Sequence, residues 1–503
     1  MLPEAVVAKT AAAKPVERGI AYWMERVVAE REKARGSLNA DAVHDLRVAL
    51  RRCRSMAEGF QSVNGDPVWA RMRKTGKAIF AALGDLRDTQ VLLEWIARLR
   101  GDCPTVAERL NSHCRRREAE LKTNAAEVVD EFDTQRWLQW AQKLDELVEG
   151  VGNPTEVFQV LALERYQAAR LLHAMALRNR SRVALHQLRI GIKRLRYIVE
   201  NFLPEQEQAW GKDLRHIQDL LGEVHDLDVL WSTARQIHAF VTPQERQQWD
   251  AAVSRERSQR VQTYREKMLG RHSLWQEWRN GLPAGDKLRS AVLKRFEIWA
   301  ASLDPAPAHT QLVTQFSLDL YDSLQAGGRV PARAAGAVSP RDLLQVAALT
   351  HGAGHSGRDK ARHKVSGRLL QQLEVPPGWS ATDLLMATLV ARYHRGALPT
   401  TLESYTTLSS ENQHLVDCLG GILRFANSLD SQHEHKIRAI AVSQNGARTD
   451  IVADGYVPRS KQAERIAAAR HVLEYAFDIA LLVHESSEHQ AAGNKQATKY
   501  SAS

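Results

Sequence analysis

The stretch VHDLRVALRRCR at residues 43–54 recurs as LHQLRIGIKRLR at residues 185–196. In an α-helix, positions three, four or seven apart share a face, so the His and basic positions of each copy form one narrow stripe. The stripes comprise His44, Arg47, Arg51 and Arg54 in the first copy and His186, Arg189, Lys193 and Arg196 in the second. Apolar residues occupy the opposite face. Each copy therefore predicts a helix that buries one side and presents a row of cations on the other.

A row of like charges destabilises a helix unless anions offset the repulsion. A solvated helix surface usually alternates charges of both signs instead. No Asp or Glu occurs from Arg165 to Val199, although nine Arg and Lys residues do, so the net charge of +10 hides a strong segregation. This segregation favours a polyanion-binding surface over the alternative of two ordinary solvated basic faces.

A second pair of segments extends the duplication. KTGKAIFAALGDLRDTQVL at residues 74–92 matches KDLRHIQDLLGEVHDLDVL at residues 212–230 with an offset of 138 positions. The matched positions are Lys74, Lys77, Leu83, Gly84 and Asp88 in the first copy and Lys212, Arg215, Leu221, Gly222 and Asp226 in the second. We interpret Gly84 and Gly222 as positions that permit close helix approach, and the aspartates as structural residues. The shared spacing establishes an internal repeat.

The 503-residue chain is long enough for several domains, and its patterning is mainly helical. We predict an all-α protein with one small C-terminal β-hairpin, because Asn445-Gly446 separates two short alternating runs. Single helices are predicted near residues 67–98 and 460–484. The predicted order is a disordered N-terminus (1–14), a duplicated domain (15–283, repeats 15–150 and 155–283), a connecting helix and linker (284–308), a second helical domain (309–485) and a disordered tail (486–503).

The duplicated HxLRxxxKRxR motif, followed by the K…LG…D element, resembles the CHAD family, the conserved histidine α-helical domains. The resemblance implies two pseudo-symmetric four-helix bundles that face each other across a basic channel, with inorganic polyphosphate as the ligand. Carried over by position, the implied ligand-facing residues are His44, Arg47, Arg51, Arg54, Lys74, Lys77, His186, Arg189, Lys193, Arg196, Lys212 and Arg215. The second copy departs from the first at His225, where the first has Arg87.

The residue types agree with such a ligand, because Arg and Lys bind phosphate oxygens through charge-assisted hydrogen bonds. A groove for single-stranded nucleic acid normally adds stacking aromatic residues, and the stripes contain only Tyr197. We therefore do not expect nucleic acid as the partner, although it remains an alternative. No apolar run is long enough for a membrane span. The expected location is the cytoplasm and polyphosphate granules, where granule proteins or polyphosphate-metabolising enzymes are the further expected partners. The sequence does not indicate an oligomeric state.

Residues 300–485 resemble the C-terminal HD-type helical domain of the exopolyphosphatase and guanosine-pentaphosphatase family. The matching segments are AALTHGAGHSG (347–357), ARYHRGALP (391–399) and LGGILRFANSLD (419–430). The metal site is degenerate: His309, His351 and His363 are the remaining candidates, but Gly352 follows His351 where a tandem Asp is expected, and Asn427 replaces the late Asp.

The phosphate-binding actin-like domains of those exopolyphosphatases have no counterpart in the sequence. We therefore expect no metal, no cofactor and no hydrolysis, only polyphosphate binding. The competing hypothesis is a metal-dependent phosphohydrolase that acts through the HD-like domain.

Overall fold

The structure is a computed structural model. It describes residues 19–152, 154–179, 181–333, 338–354, 362–396, 400 and 402–486, without the side chains of residues 362 and 363. The chain divides into two compact units. Unit 1 comprises the described residues of 19–62 and 66–284, and unit 2 comprises 63–65 and those of 285–486. Within these ranges, no helix is long and apolar enough to cross a membrane. The predicted all-α fold class is confirmed.

Unit 1 is entirely helical within its described residues. Its first half contains α1 (Ile20–Gly36), α2 (Ala40–Gln61), α3 (Val68–Thr75), α4 (Lys77–Leu99), α5 (Pro104–Asp130) and α6 (Thr134–Val151). Its second half contains α7 (Thr155–Asn179), α8 (Arg182–Phe202), α9 (Pro204–Gln236), α10 (Pro243–Met268) and α11 (Leu274–Asn280). The duplicated motif forms α2 and α8, which pack against each other, and α4 packs against α9.

An aromatic cluster joins the two halves at the C-terminal ends of α2 and α8. Phe60 and Phe202 occupy equivalent repeat positions, and their rings contact each other edge-on with centroids 5.2 Å apart. Phe158 stacks on Phe202 at 3.9 Å. Gly59 is required here, because a Cβ at this position would lie 2.4 Å from the Phe202 ring. A contact between equivalent residues is the arrangement expected beside a two-fold axis.

A buried polar network also connects α2 and α8. Arg52 forms an ion pair with Glu200 and donates a hydrogen bond of 2.8 Å to Asn201 Oδ1. Asn201 Nδ2 in turn donates to Ser55 Oγ at 2.8 Å. The repeat-equivalent of Arg52 is Arg194, which is exposed, so this network breaks the pseudo-symmetry.

The helix predicted near residues 67–98 is interrupted at Gly76, which separates α3 from α4. Trp137 is fully buried and packs against this break, where a Cβ on Gly76 would lie 3.2 Å from its ring. The Trp137 indole N–H donates to the carbonyl oxygen of Met24 at 3.0 Å. The equivalent helix of the second half, α9, is continuous. The break lies at Gly76 itself, whose backbone has left the helical conformation, with φ −83° and ψ 5°.

Unit 2 combines helices with a small sheet. Its helices are α12 (Gly285–Ala301), α13 (Pro307–Ala326), α14 (Pro340–Thr350), α15 (Arg362–Gln371), α16 (Ala381–Tyr393), α17 (Glu403–Thr406), α18 (Ser410–Leu429) and α19 (Lys461–Phe477). Helices α13, α14 and α16 surround α18, which packs against α19. The His-containing ends of α14 and α16 are thereby brought beside the start of α13.

The sheet contains one strand more than the predicted hairpin. Strands β1 (Ala439–Asn445) and β2 (Arg448–Asp454) pair antiparallel as predicted, and β3 (Ala480–Glu485) pairs parallel to β2. The predicted helix near 460–484 was therefore too long. It ends because Asp478 adopts a left-handed conformation, with φ 50°, after which ALLVHE continues as a strand. The apolar run is too short to distinguish helix from strand by periodicity alone.

The Arg52–Glu200 network yields a prediction for stability. Glu200→Ala leaves Arg52 and Arg196 buried without their carboxylate, so it should destabilise unit 1 by about 3–5 kcal/mol. Hydrogen exchange of peptides from residues 40–61 and 182–202 in the full chain would measure the loss. The control is Glu108→Ala, which removes an exposed partner of Arg100 and should change stability by less than about 1 kcal/mol. Equal exchange in Glu200→Ala and wild type would contradict the prediction.

Candidate functional site

A cavity of about 170 Å³ lies between the duplicated helices of unit 1. Its lining residues are His44, Arg47, Val48 and Arg51 from α2, Phe80 and Arg87 from α4, Arg189, Lys193 and Tyr197 from α8, and Gln218 from α9. Five of these described residues are cationic and none is Asp or Glu. Both copies of the repeat thus contribute to one basic cavity.

Several polar atoms around this cavity are buried and lack a hydrogen-bond partner among the described residues. They are Arg47 Nη1, Arg51 Nε, Arg189 Nε, the Tyr197 hydroxyl and Gln218 Oε1. Buried donors in folded proteins are normally satisfied, and an unsatisfied one is costly. Four of these five atoms are donors, which is the arrangement that an oxyanion would complete.

Burial and like charge dominate the electrostatics of the cavity. Burial, together with the like charges of the neighbouring Arg189 and Arg51, lowers the pKa of Lys193 to about 8. Burial likewise lowers the pKa of Arg47; Asp88 opposes this shift and Arg51 adds to it. A bound anion would stabilise the charged forms of both side chains, so the cavity is electrostatically prepared for one.

The last stripe residue of each copy does not line the cavity. The Arg54 guanidinium lies over the Phe80 ring, 4.8 Å from its centroid. Arg196 is buried, with Nη2 located 3.7 Å from Glu200 Oε2. Both side chains lie next to the cavity, but their contacts are with protein groups.

The remaining predicted residues lie on more open parts of unit 1. His186 Nδ1 is 3.2 Å from His225 Nδ1, and burial lowers the pKa of His225 to about 4. Arg215 is exposed and forms an ion pair with Glu207 at 2.5 Å. Lys74, Lys77 and Lys212 are exposed on α3, α4 and α9. The structure therefore brings His44, Arg47, Arg51, Arg189 and Lys193 together and leaves the other seven outside the cavity.

Sequence reasoning did not assign Val48, Phe80, Arg87, Tyr197 or Gln218 to the ligand-facing set. The repeat itself contained a signal for one pair, because Phe80 and Gln218 are equivalent positions at the offset of 138. Arg87 precedes Asp88, which matches Asp226 in the second copy. The Nη1 atom of Arg87 also contacts Glu94 at 3.1 Å. The positions differ in residue type between the copies, which is why matching identities missed them.

The glycines of the LG element have a specific role beside this cavity. A Cβ on Gly84 would lie 2.8 Å from Arg47 Nη1, so the Arg47 guanidinium rests directly on the backbone of α4. A Cβ on Gly222 would lie 3.8 Å from Arg189 Nε, which is an ordinary contact distance. Gly84 is thus needed for the position of Arg47, and the requirement at Gly222 is weaker. The predicted close approach involves an arginine side chain.

Unit 2 contains a second, smaller cavity of about 100 Å³ that is lined by histidines. His309 Nδ1 is 2.8 Å from Asp430 Oδ2, and His309 Nε2 is 3.3 Å from Asn427 Oδ1. The ring of His351 lies edge-on to that of His309, with centroids 5.5 Å apart. His433 stacks on His309 at 3.9 Å. Of the predicted candidates, His309 and His351 are therefore neighbours, whereas the His363 side chain lies outside the described part.

The donor set of this cavity does not fit a catalytic metal. The carboxylate of Asp304 occupies the space beside Gly352, where a Cβ would lie 2.9 Å from Asp304 Oδ2 and 2.6 Å from Thr310 Oγ1. An aspartate at position 352 would collide with both. Asp430 already contacts His309 and His435, so its oxygens have protein partners. Within the described residues, no group of three His, Cys, Asp or Glu side chains could hold a metal ion.

Comparisons with known proteins bear on both units. Residues 20–235 match the family model described as CHAD domain, and residues 302–453 match that of Ppx/GppA phosphatase, domain III. The chain contains both of these domains. The two resemblances read from the sequence are thereby confirmed. Together the CHAD domain and the Ppx/GppA domain III fit a polyphosphate-related function.

Solved structures similar to the chain include one titled as the crystal structure of the CHAD domain from the plant Ricinus communis. It is 20% identical in sequence, with a TM-score of 0.38, and the match covers 53% of this chain and 90% of that one. No curated protein matched the sequence.

Proposed function

We propose that the protein binds inorganic polyphosphate through the basic cavity of its CHAD domain and does not hydrolyse it. The observation that carries the proposal is a set of buried donors on Arg47, Arg51, Arg189 and Tyr197 that have no partner among the described residues, around a cavity whose described lining contains no carboxylate. Phosphoryl oxygens would accept hydrogen bonds from these donors and neutralise the like charges at the same time. The match of residues 20–235 to the CHAD domain supports the same ligand.

The size of the cavity supports a phosphate chain more than a nucleotide. A volume of about 170 Å³ is more than ten times the roughly 10–15 Å³ that a single water molecule needs in a cavity. This space suits one or two phosphoryl groups and is below the roughly 300–1,000 Å³ of pockets for larger organic ligands. The exposed Lys74, Lys77, Lys212 and Arg215 would then contact further units of a long chain.

The absence of hydrolysis is supported by the chemistry of the Ppx/GppA domain III. Metal-assisted hydrolysis requires carboxylate or His ligands around an open coordination position. Gly352 and Asn427 replace two acidic ligands, and Asp304 occupies the space in which a side chain at position 352 would lie. We accordingly propose a role in holding polyphosphate, at granules or during its turnover.

The first prediction concerns the two equivalent arginines of the cavity. Arg47→Ala/Arg189→Ala should lower the affinity for polyphosphate about 100-fold, because each arginine contributes charge-assisted hydrogen bonds. The slope of log affinity against log salt should also decrease in magnitude by about 1.4, since two phosphate contacts are lost. Isothermal titration at several salt concentrations measures both quantities.

The control for this double variant is Arg100→Ala/Arg116→Ala, which removes the same charge from exposed positions. It should leave the affinity within about threefold of wild type. Loss of fold is not an expected explanation for the cavity variant, because it relieves repulsion and removes unsatisfied buried donors. Wild-type affinity in the cavity variant would refute the site. Stronger binding of RNA or DNA at matched phosphate concentration would refute the proposed ligand.

The second prediction concerns catalysis. The full-length protein should release no phosphate from polyphosphate in the presence of Mg²⁺, Mn²⁺ or Co²⁺, because its described residues offer no metal-binding group. A coupled assay for free phosphate measures the release, with an active exopolyphosphatase as the positive control. Robust turnover that His351→Ala abolishes would replace the binding proposal with the phosphohydrolase hypothesis.

The third prediction uses the two glycines as a matched pair. Gly84→Ala forces the Arg47 guanidinium to move by several tenths of an ångström and should weaken polyphosphate binding about three- to tenfold. Gly222→Ala makes the same chemical change at the equivalent position without a close contact, so its effect should stay within about twofold. Both substitutions favour the helix by up to about 1 kcal/mol, and thermal denaturation should therefore show no loss of stability. Equal affinities of the two variants would contradict the role of Gly84.

A further inference from the structure

Among the described lining residues of the basic cavity, Tyr197 is the one that carries a hydroxyl group. Its hydroxyl oxygen is buried and has no hydrogen-bond partner among the described residues. A buried phenol usually finds a partner, because leaving it unsatisfied costs about 1–3 kcal/mol. The three cations around its ring offer donors only, and Gln218 Oε1, an acceptor at the same cavity, has no partner among the described residues either. The Tyr197 hydroxyl therefore needs an acceptor, and a bound oxyanion would provide one.

The ring of Tyr197 contacts three cations. Arg51 Cζ lies 5.4 Å from the ring centroid, Lys193 Nζ lies 5.7 Å from it and Arg196 Cζ lies 5.2 Å from it. Each distance is within the range of cation–π attraction. Arg51 belongs to the first copy of the repeat, whereas Lys193 and Arg196 belong to the second. A single ring thus helps to hold cations of both copies beside one cavity.

The repeat-equivalent position of Tyr197 cannot play the same part. It is Ser55, which is buried between α2 and α8, where its hydroxyl accepts from Asn201 and donates to the carbonyl oxygen of Arg52. The two copies therefore line one basic cavity, to which Tyr197 is contributed by the second copy only. The aromatic lining residue of the first copy is Phe80, whose ring centroid lies 5.3 Å from Arg47 Cζ and which has no hydroxyl group.

We propose that Tyr197 is a ligand-binding residue, which forms a seat for one phosphoryl group with Arg47, Arg51, Arg189 and Lys193. Its hydroxyl donates a hydrogen bond to a phosphoryl oxygen, and its ring holds three cations in place before the ligand arrives. This inference rests on the proposed function for the long-chain ligand. The seat itself requires only a compact oxyanion, so tripolyphosphate binds there as well.

The experiment separates the hydroxyl from the ring. Tyr197→Phe keeps the ring and removes the donor, so the affinities for tripolyphosphate and for long-chain polyphosphate should each fall about tenfold. The salt dependence of binding should not change, because no charge is removed. Tyr197→Leu also removes the ring and should lower both affinities further, since the three cations lose their shared contact. Tyr475→Phe, at a residue that is 85% exposed, is the matched control and should bind as wild type does.

The possible outcomes distinguish this inference from the proposed function. If wild type binds both anions and Tyr197→Phe binds them equally well, the role of Tyr197 is wrong and the proposed function stands. If wild type binds tripolyphosphate in a Tyr197-dependent manner but does not bind the long chain, the seat is correct and the proposed function is wrong. Binding of neither anion by the folded protein overturns both. A change in the salt slope of Tyr197→Phe would mean that the substitution displaces cations, which contradicts a direct hydrogen bond from the hydroxyl.

Discussion

The CHAD domain gathers five cations around one cavity, and none of the described lining residues is Asp or Glu. The rest of the domain must tolerate this concentration of like charge. Such a group is unfavourable in isolation, because burial removes water from each charge and the charges repel one another. Packing away from the cavity must hold it together. Phe60, Phe158 and Phe202 join the two copies through an apolar contact, and Glu200 supplies the negative charge that Arg52 and Arg196 need at the interface. The fold thus separates the stabilising contacts from the ligand-facing surface.

This separation explains why the two copies of the repeat are no longer equivalent. A symmetric arrangement would repeat the buried Arg52–Glu200 pair at the equivalent positions Arg194 and Glu58, but no such pair occurs among the described residues. The equivalent Arg194 is exposed. Tyr197 and Ser55 diverge in the same way, with one residue facing the cavity and the other facing the interface. As a result, residues of both copies line one cavity.

The Ppx/GppA domain III shows a different kind of change. Its histidines remain close to one another, but the interactions around them are now between protein groups, as in the contact of His309 with Asp430 and Asn427. Asp304 lies in the space next to Gly352. The Asp304 and Thr310 side chains would therefore have to shift to make room for any side chain at position 352.

The sequence by itself determined the repeat, the helical class of both domains and the identity of the central basic residues. Arg47, Arg51, Arg189 and Lys193 were predicted because helical periodicity is a local property, which places them on one face whatever the partner helix is. The same reasoning failed for the break at Gly76, against which a buried tryptophan sixty-one residues away packs.

Only the tertiary structure decided which cations enclose the cavity. It showed that Arg54 lies against Phe80, that Arg196 lies near Glu200 and that the outer lysines are exposed. The hydroxyl of Tyr197 and the contact of Gly84 with Arg47 likewise became visible only in three dimensions. The physical reason is that a hydrogen bond, an ion pair or a close contact between distant residues depends on distances of a few ångströms, and the periodicity of a single helix carries no information about them.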